Sequence, residues 1–363
     1  MFYQRVESVD LEARRLEAWR SLAMTDLLWD DFLRATPCGQ FQQSSLWAEY
    51  KAGDGWSHHR VVLTSDADIV GGFQILWKST RFGRFGYVSK GPVAYPETAD
   101  RVRLLELLLV QATQSIGLIA LIAQQPDETG YEMGGWGKSL FLRSNPMRVI
   151  ESTYLVDLGE GMGRVRSRMH RKVRQYVRKA HQNGVVVRSG TASDIPIFFD
   201  LMMATCRRQR TNPNPATVEA VRRLWTIFSR SQSIEMAFAE CDGAAVAGRL
   251  SLVFGDRVTL WKKGWNGRCA QWHPNELMLD DSLEWAQKRG LRVADFCAIN
   301  PRVAKSILGG RVDQAETCSH AAFICRFGGH PKLLPRAQVL LPQSTLRWSY
   351  RNTYALVENL TCF

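Results

Sequence analysis

The chain has 363 residues with 28 Gly, 13 Pro and 45% hydrophobic residues, which is too long for one ordinary core and too apolar for general disorder, so two domains or a duplicated one is expected. Lys and Arg number 47 against 35 Asp and Glu, a net charge of +12; this suits a polyanionic partner such as nucleic acid, nucleotide or lipid phosphate, with a plain basic surface as the alternative. The longest apolar stretch, Leu104 to Ala123, is broken by Glu106, Gln111, Gln114 and Gly117, so no transmembrane segment is expected, and the charged N-terminus has no apolar signal region, so the cytoplasm is the expected compartment.

Leu11, Leu16, Trp19, Leu22, Leu27, Leu28 and Phe32 have helical spacing, which predicts a helix up to Arg34 that ends at Thr36-Pro37-Cys38-Gly39. A short helix over Gln43 to Lys51 follows. Strands are predicted over His59–Thr64, Ile69–Trp77 and Phe85–Val88, then a helix over Arg101–Ile116 stopped by Gly117, then a strand over Leu118–Ala123. The same order recurs with strands over Glu235–Glu240, Val246–Phe254 and Arg257–Lys262, a helix over Asn275–Lys288 stopped by Gly290, and a strand over Leu291–Phe296. Asp66 to Gly72 repeats the spacing of Asp242 to Gly248, so the chain reads as a duplicated α/β unit with copies about 175 residues apart. The segment after Phe327 is expected to form a C-terminal strand and helix.

Between the copies, Gly163 to His181 reads as one helix ended by Asn183-Gly184. Arg164, Arg166, Arg168, Arg171, Lys172, Arg174, Arg178 and Lys179 crowd it, while Val165, Met169, Val173, Tyr176, Val177 and Ala180 form an apolar stripe. Like charges at i and i+4 repel. An array of this kind calls for an anion, either a phosphodiester backbone, with strongly salt-dependent binding, or carboxylates from elsewhere in the chain. A strand over Val185–Arg188 and a helix over Ile195–Arg208 come next.

Several chemistries have no motif here. There is no Walker A sequence, dinucleotide-binding Gly fingerprint, HExxH or GxSxG elbow. Arg81-Phe82-Gly83-Arg84-Phe85-Gly86 does not match an acyl-CoA pyrophosphate loop. The eight Cys form no CxxC pair and read as buried thiols. No His, Cys and carboxylate set has metal-ligand spacing, so no metal is expected. The seven His read as structural or surface residues.

An ordered set of motifs resembles the Fem-type (FemABX) aminoacyltransferases. Phe41 to Lys51 with Gly55-Trp56 is similar to their opening motif, and Tyr87-Val88-Ser89-Lys90-Gly91-Pro92-Val93 to their Y-x-x-[RK]-G-P-V. Arg178-Lys179-Ala180 through Gly184-Val185 resembles R-K-A-x-x-x-G-V; Pro274-Asn275-Glu276-Leu277 resembles P-N-x-L; Ala294-Asp295-Phe296 resembles Y-D-F; and Phe323 to Gly329 resembles F-K-x-x-F-G-G. The resemblance implies an α/β (α+β) fold of two tandem GNAT-like domains, each a mixed, mostly antiparallel sheet flanked by helices. Residues 1–150, completed by 331–363, would form the first, and 151–330 the second. With no coiled-coil arm, the chain resembles the compact members.

The activity implied is transfer of an amino acid from aminoacyl-tRNA, as co-substrate and without a further cofactor, to an amine of a small-molecule or precursor acceptor. By resemblance, tRNA would be held by Arg168, Arg171, Lys172, Arg174, Arg178, Lys179 and Phe323; Ile324 stands where the family has Lys. Lys51, Lys90, Arg208, Arg210 and Asn275 would serve the acceptor, Lys51 through nucleotide phosphates. The stretch Arg207 to Thr217 departs from the peptidoglycan enzymes, and the Pro-linked carboxylate after the first unit's last strand is missing where Gln125 precedes Pro126. A natural-product or polysaccharide intermediate is therefore the expected acceptor, with a peptidoglycan precursor as the alternative. The ester is already activated, so positioning and oxyanion stabilisation would supply much of the rate. Asp295 and Glu276 are candidate bases, and Arg326, or else Lys305, would offset developing charge; Asp295 reads equally well as a cap, and Glu284 as solvated. An acyl-CoA-dependent N-acyltransferase and a non-enzymatic nucleic-acid-binding protein are the competing classes.

Overall fold

The computed structural model describes residues 3–11, 14–127, 129–131, 140–147, 149–310 and 320–360; Cys318 and Cys362 lie outside them, as does the side chain of His320. The chain divides into two units, Met1–Val149 with Leu334–Phe363, and Ile150–Leu333. In chain order the first unit supplies β1 (Tyr3–Leu11), β2 (Arg14–Ser21), α1 (Leu27–Ala35), α2 (Ser45–Ala52), β3 (Ser57–Ser65), β4 (Asp68–Thr80), β5 (Gly83–Ser89), β6 (Val93–Ala94), α3 (Ala99–Ile116), β7 (Leu118–Gln124) and β8 (Phe141–Arg143). The second supplies β9 (Ser152–Asp157), α4 (Met162–Arg168), α5 (Arg171–Gln182), β10 (Val186–Ser189), α6 (Ile195–Gln209), α7 (Val218–Ser229), β11 (Ile234–Cys241), β12 (Ala244–Phe254) and β13 (Arg257–Trp265). It continues through α8 (Pro274–Lys288), β14 (Val293–Ala298), α9 (Pro301–Leu308), α10 (His320–Ile324) and β15 (His330–Leu333). The chain then returns to the first unit with β16 (Gln338–Leu340) and α11 (Ser344–Leu360).

The sheet of the first unit runs β1-β2-β3-β4-β5-β7-β16-β8, with β6 on β4. Its core forms where the apolar face of α3 (Leu104, Leu105, Leu108, Leu109) packs with Phe73, Ile75, Val88 and Leu121. Gly117, at φ 72, lets the chain leave α3 in the left-handed conformation, and β7 starts at once. The predicted N-terminal helix is replaced by the β1–β2 hairpin and the shorter α1. The reason is the period of burial. Leu16 and Ala18 are buried, Glu17 between them is only partly so, and Arg20 is exposed, which is the alternation of a half-buried strand. Leu22, Leu27 and Leu28, which completed the helical pattern, are exposed.

The second sheet runs β10-β11-β12-β13-β14-β9-β15. Both units share one plan: two antiparallel pairs, a helix crossover, and a parallel pair (β5 with β7 through α3, β13 with β14 through α8). Each parallel pair is then flanked by an antiparallel strand, β16 on β7 and β9 on β14. This is the duplicated, mixed and mostly antiparallel architecture expected from the sequence. The basic segment is not one rod. Met169 is extended (ψ 143) and buried, so α4 and α5 are separate helices. His170 N–H, freed at the break, donates to the Arg326 carbonyl at 2.9 Å.

Candidate functional site

A cavity opens in the second unit where its parallel strands part. The β13–β14 ladder holds only Arg257–Val293, Val258–Ala294 and Thr259–Asp295, although β13 continues to Trp265. The corresponding β5–β7 ladder of the first unit runs over six pairs, Arg84–Leu118 to Ser89–Gln124. The parting follows from a bulge in β14, where pairing with β9 slips between Asp295 and Ala298 and Cys297 takes φ 66, a costly conformation for a residue with a Cβ. The Asp295 carboxylate holds this bulge. Its Oδ1 accepts from the Cys297 N–H at 2.8 Å and from the Thr153 hydroxyl, and its Oδ2 is 3.6 Å from Arg257 Nη1.

The cavity, of about 710 Å³, is lined from α6 by Thr205, Arg208 and Gln209, from β13 by Trp261 to Trp265, from the start of α8 by His273 to Glu276 with Met278 and Leu279, and by Ala270 and Phe323. Gly264 sets the close approach of α6: a Cβ there would lie 2.4 Å from Met202 N. Thr205 Oγ1 accepts from Trp265 N–H at 2.8 Å, and Arg208 donates to the Trp265 carbonyl while its guanidinium covers the indole at 4.8 Å. Arg208 and Asn275, expected at the acceptor, Glu276, expected as a base, and Phe323, expected at the tRNA, thus line one cavity. Asp295, Arg210 and Arg326 are not among the lining residues. Arg210 is the exposed, left-handed C-cap of α6, and Lys305 is exposed on α9.

Glu276 is the carboxylate lining the cavity among the described residues. Burial raises its pKa, and Arg326 opposes that rise. Burial pushes Lys263 down to about 8 and lowers Lys262 as well. These two lysines escaped the sequence reading; the signal was two ammonium groups inside a Trp-Lys-Lys-Gly-Trp strand. At the rim, the Tyr176 ring of α5 stacks on His273 with centroids 3.7 Å apart. Burial and the nearby Lys179 both hold His273 toward its neutral form.

The cations of the basic segment sort into two sets. Arg166 is held by Asp280 (2.7 Å) and Glu284 (2.5 Å), so Glu284 is engaged rather than merely solvated. Arg168 pairs with Glu160 at 2.6 Å. Arg174 donates to the Arg166, Ser167 and Met169 carbonyls and so caps α4. Arg171, Lys172, Arg178 and Lys179 have no carboxylate partner among the described residues. Of the two anion sources the sequence left open, carboxylates of the chain hold Arg166 and Arg168 and leave these four cations without one.

In the first unit, Lys51 Nζ is 2.8 Å from Asp54 and lies over the Tyr50 and Trp56 rings. Lys90 is buried and bonded to Asp127 Oδ1 at 2.5 Å, while Gln40 donates to Oδ2 at 2.6 Å. A carboxylate therefore does stand after β7, one residue beyond Pro126 instead of before it. Among the described residues no cluster of His, Cys, Asp and Glu could hold a metal ion, and no helix is long and apolar enough to cross a membrane. Cys38 and Cys241 are buried, and Cys206, Cys269, Cys297 and Cys325 are partly buried thiols.

Residues 24–106 match the FemAB family, and residues 166–302 match the acetyltransferase (GNAT) domain family. A UDP-N-acetylmuramoylpentapeptide-lysine N(6)-alanyltransferase of Weissella viridescens is 22% identical over 251 residues, which cover 63% of this chain and 71% of that protein. The crystal structure of FemX superposes with a TM-score of 0.74 at 16% identity, covering 88% of this chain and 96% of that one. A tandem GNAT protein from the clavulanic acid biosynthesis pathway covers 90% of this chain and 99% of its own, at 12% identity and a TM-score of 0.51. The two family segments fall one in each unit, each over less than half of the chain, and with these structures they show a tandem GNAT-like fold that is similar to the FemAB family.

Proposed function

We propose that the chain takes an aminoacyl group from aminoacyl-tRNA, its co-substrate, and joins it to an amine acceptor as an amide. The observation that carries this reading is the path from cation to cavity. The carboxylate-free side chains Arg171, Lys172, Arg178 and Lys179 stand on the helix whose Tyr176 stacks on His273 at the cavity rim. A phosphodiester strand lying on that face would deliver its esterified end to the cavity. The ester needs no activation there, so the residues would orient it, accept one proton and offset negative charge. Glu276, whose affinity for a proton burial has raised, would take one from the acceptor's amine, so that its neutral nitrogen forms the amide bond as the ester C–O bond breaks and the tRNA leaves with its ribose hydroxyl protonated. Phe323 would pack against the terminal nucleoside, and Arg208 would offset the oxyanion. Lys51 and Lys90 would serve the acceptor in the first unit, with Lys90 set by Asp127. The relative's name points to a peptidoglycan precursor, and the preference for a natural-product or polysaccharide acceptor has no support beyond the departures in the sequence.

The test is tRNA binding at several salt concentrations, for the wild type and for a variant with Arg171, Lys172, Arg178 and Lys179 all changed to Glu. Loss of at least tenfold in affinity together with a shallower salt dependence is expected from removing phosphate contacts; unchanged binding, or no tRNA binding by the wild type, overturns the reading. The GNAT-domain match keeps an acyl-CoA donor as the second reading, and thermal stabilisation by acyl-CoA but not by charged tRNA would favour it.

A further inference from the structure

The aminoacyl cavity carries buried positive charge that the protein does not balance. Lys262 and Lys263 are consecutive on β13, so their side chains leave opposite faces of the strand, and both line the cavity. Lys263 Nζ is fully buried and has no hydrogen-bond partner. Lys262 Nζ sits 4.8 Å from the Trp261 ring centre. No carboxylate acts on either lysine. The groups that favour their charged forms are thiols, Cys297 for both and Cys206 for Lys262. Cys297, with burial pushing it up to about 12, carries no charge near neutral pH. Across the ladder Arg249 stands opposite Lys263, and it takes Glu235 for itself at 2.6 Å. Glu276, the lining carboxylate, feels Arg326 rather than either lysine. Arg208 adds a third cation to the wall.

Burying an ammonium with no counter-charge is costly in general, and a fold that keeps Lys262 at the cavity wall and the Lys263 ammonium sealed behind it leaves room for an anion to be supplied by the ligand. Phosphates of the donor are accounted for by the outer face of α5. What enters past His273 is the aminoacyl group itself, and the part of it that can carry negative charge is its side chain. We propose that Lys262, backed by Lys263, forms a carboxylate-binding subsite that selects an acidic aminoacyl group, aspartyl or glutamyl, for transfer. This rests on the donor reading above. A cationic side chain such as lysyl would meet Lys262 and Arg208 and be rejected, and a neutral one would leave the Lys262 ammonium unpaired.

The experiment uses one tRNA body carrying, through a stable 3′-amide, aspartate, glutamate, asparagine, alanine or lysine, with dissociation constants measured for the full chain and its Lys262→Met and Lys263→Met variants. The expected result is binding of the aspartyl or glutamyl form at least roughly tenfold tighter than the alanyl and lysyl forms, about the worth of one charge-assisted hydrogen bond. Lys262→Met should erase that preference while leaving the alanyl form unaffected. Lys263→Met should weaken it and also raise the melting temperature, since an unpartnered buried charge is removed; a raised melting temperature also shows that the variant is folded. Equal affinity for the acidic and alanyl forms overturns the subsite but not the donor reading. Equal weakening of all forms by Lys262→Met assigns the lysine to the RNA backbone and likewise overturns it. Failure of the wild type to bind any of the five tRNAs overturns both.

Discussion

His58 and His59 are neighbours on β3, and burial pushes each down to about 4, with Arg60 acting on His58 and Arg20 on His59 in the same direction. The folded chain therefore keeps both neutral where an unfolded chain would take up protons near pH 6.5. Their folded-state pKa values are depressed, so protons favour the unfolded chain. Stability is unaffected above about pH 6.5 and is lost as the pH falls toward about 4, by up to about 1.4 kcal/mol per pH unit for each histidine. Urea unfolding at a series of pH values should show this slope, and a His58→Gln, His59→Gln variant should flatten it. At the same scale the site was partly legible. Arg208, Asn275, Glu276 and Phe323 could be named from motif and residue type, and they line one cavity. Lys262 and Lys263 could not, because a lysine in a strand normally reaches solvent, and the residues that wall this cavity with them come from α6, α8 and Phe323, outside the strand. Asp127 was missed because the carboxylate was sought on the wrong side of Pro126, whereas its meaning comes from Lys90 and Gln40, which approach from other parts of the chain.

The break between α4 and α5 divides cations that look equivalent in the sequence. Arg174 closes the C-terminus of α4 through three carbonyls, so Arg174→Ala should lower folding stability by about 1–2 kcal/mol, as expected for a lost cap and unpaired carbonyls. If the chain takes aminoacyl-tRNA as proposed, Arg174→Ala should leave the salt dependence of that binding close to the wild type. Charge reversal at Arg171 and Lys172 should do the opposite, with little change in denaturation midpoint and a clear loss of binding; equal effects from both variants would show that the two sets share one role. The helical pattern alone could not reveal the break. Met169 satisfies an apolar stripe, but it turns inward because the Arg326 carbonyl receives the His170 N–H from far along the chain. The N-terminal hairpin was illegible for a related reason: its apolar residues fit both a helical and an alternating period, and pairing of β2 with β3 settles the matter. The second-copy strands and α8 carry strong local signals and lie where the sequence put them.

Duplication was legible at the level of the whole molecule because matching turns and helix-stopping glycines recur at a fixed distance, whereas the inequality of the copies was not. One parallel pair stays zipped for six residues and the other opens after three, so only the second of these two ladders leaves a gap between its strands. The first sheet depends on β16, which lies between β7 and β8, with Val339 buried beside Ile122, Ala337 and Leu341. Val339→Asp places a charge there and should destabilise the first unit by more than about 3 kcal/mol. Hydrogen exchange should show β7 and β8 losing protection while β11 to β13 keep theirs; uniform loss across both sheets would mean that the units unfold as one. The position of β16 in the chain also orders events at the ribosome. Residues up to Val149 emerge before the second unit, yet the strand that bridges two of theirs is translated only after the whole of that unit. The later-made half can reach its native state while the earlier half still has an open seam, which makes nascent chains stalled short of β16 the species that most need a chaperone.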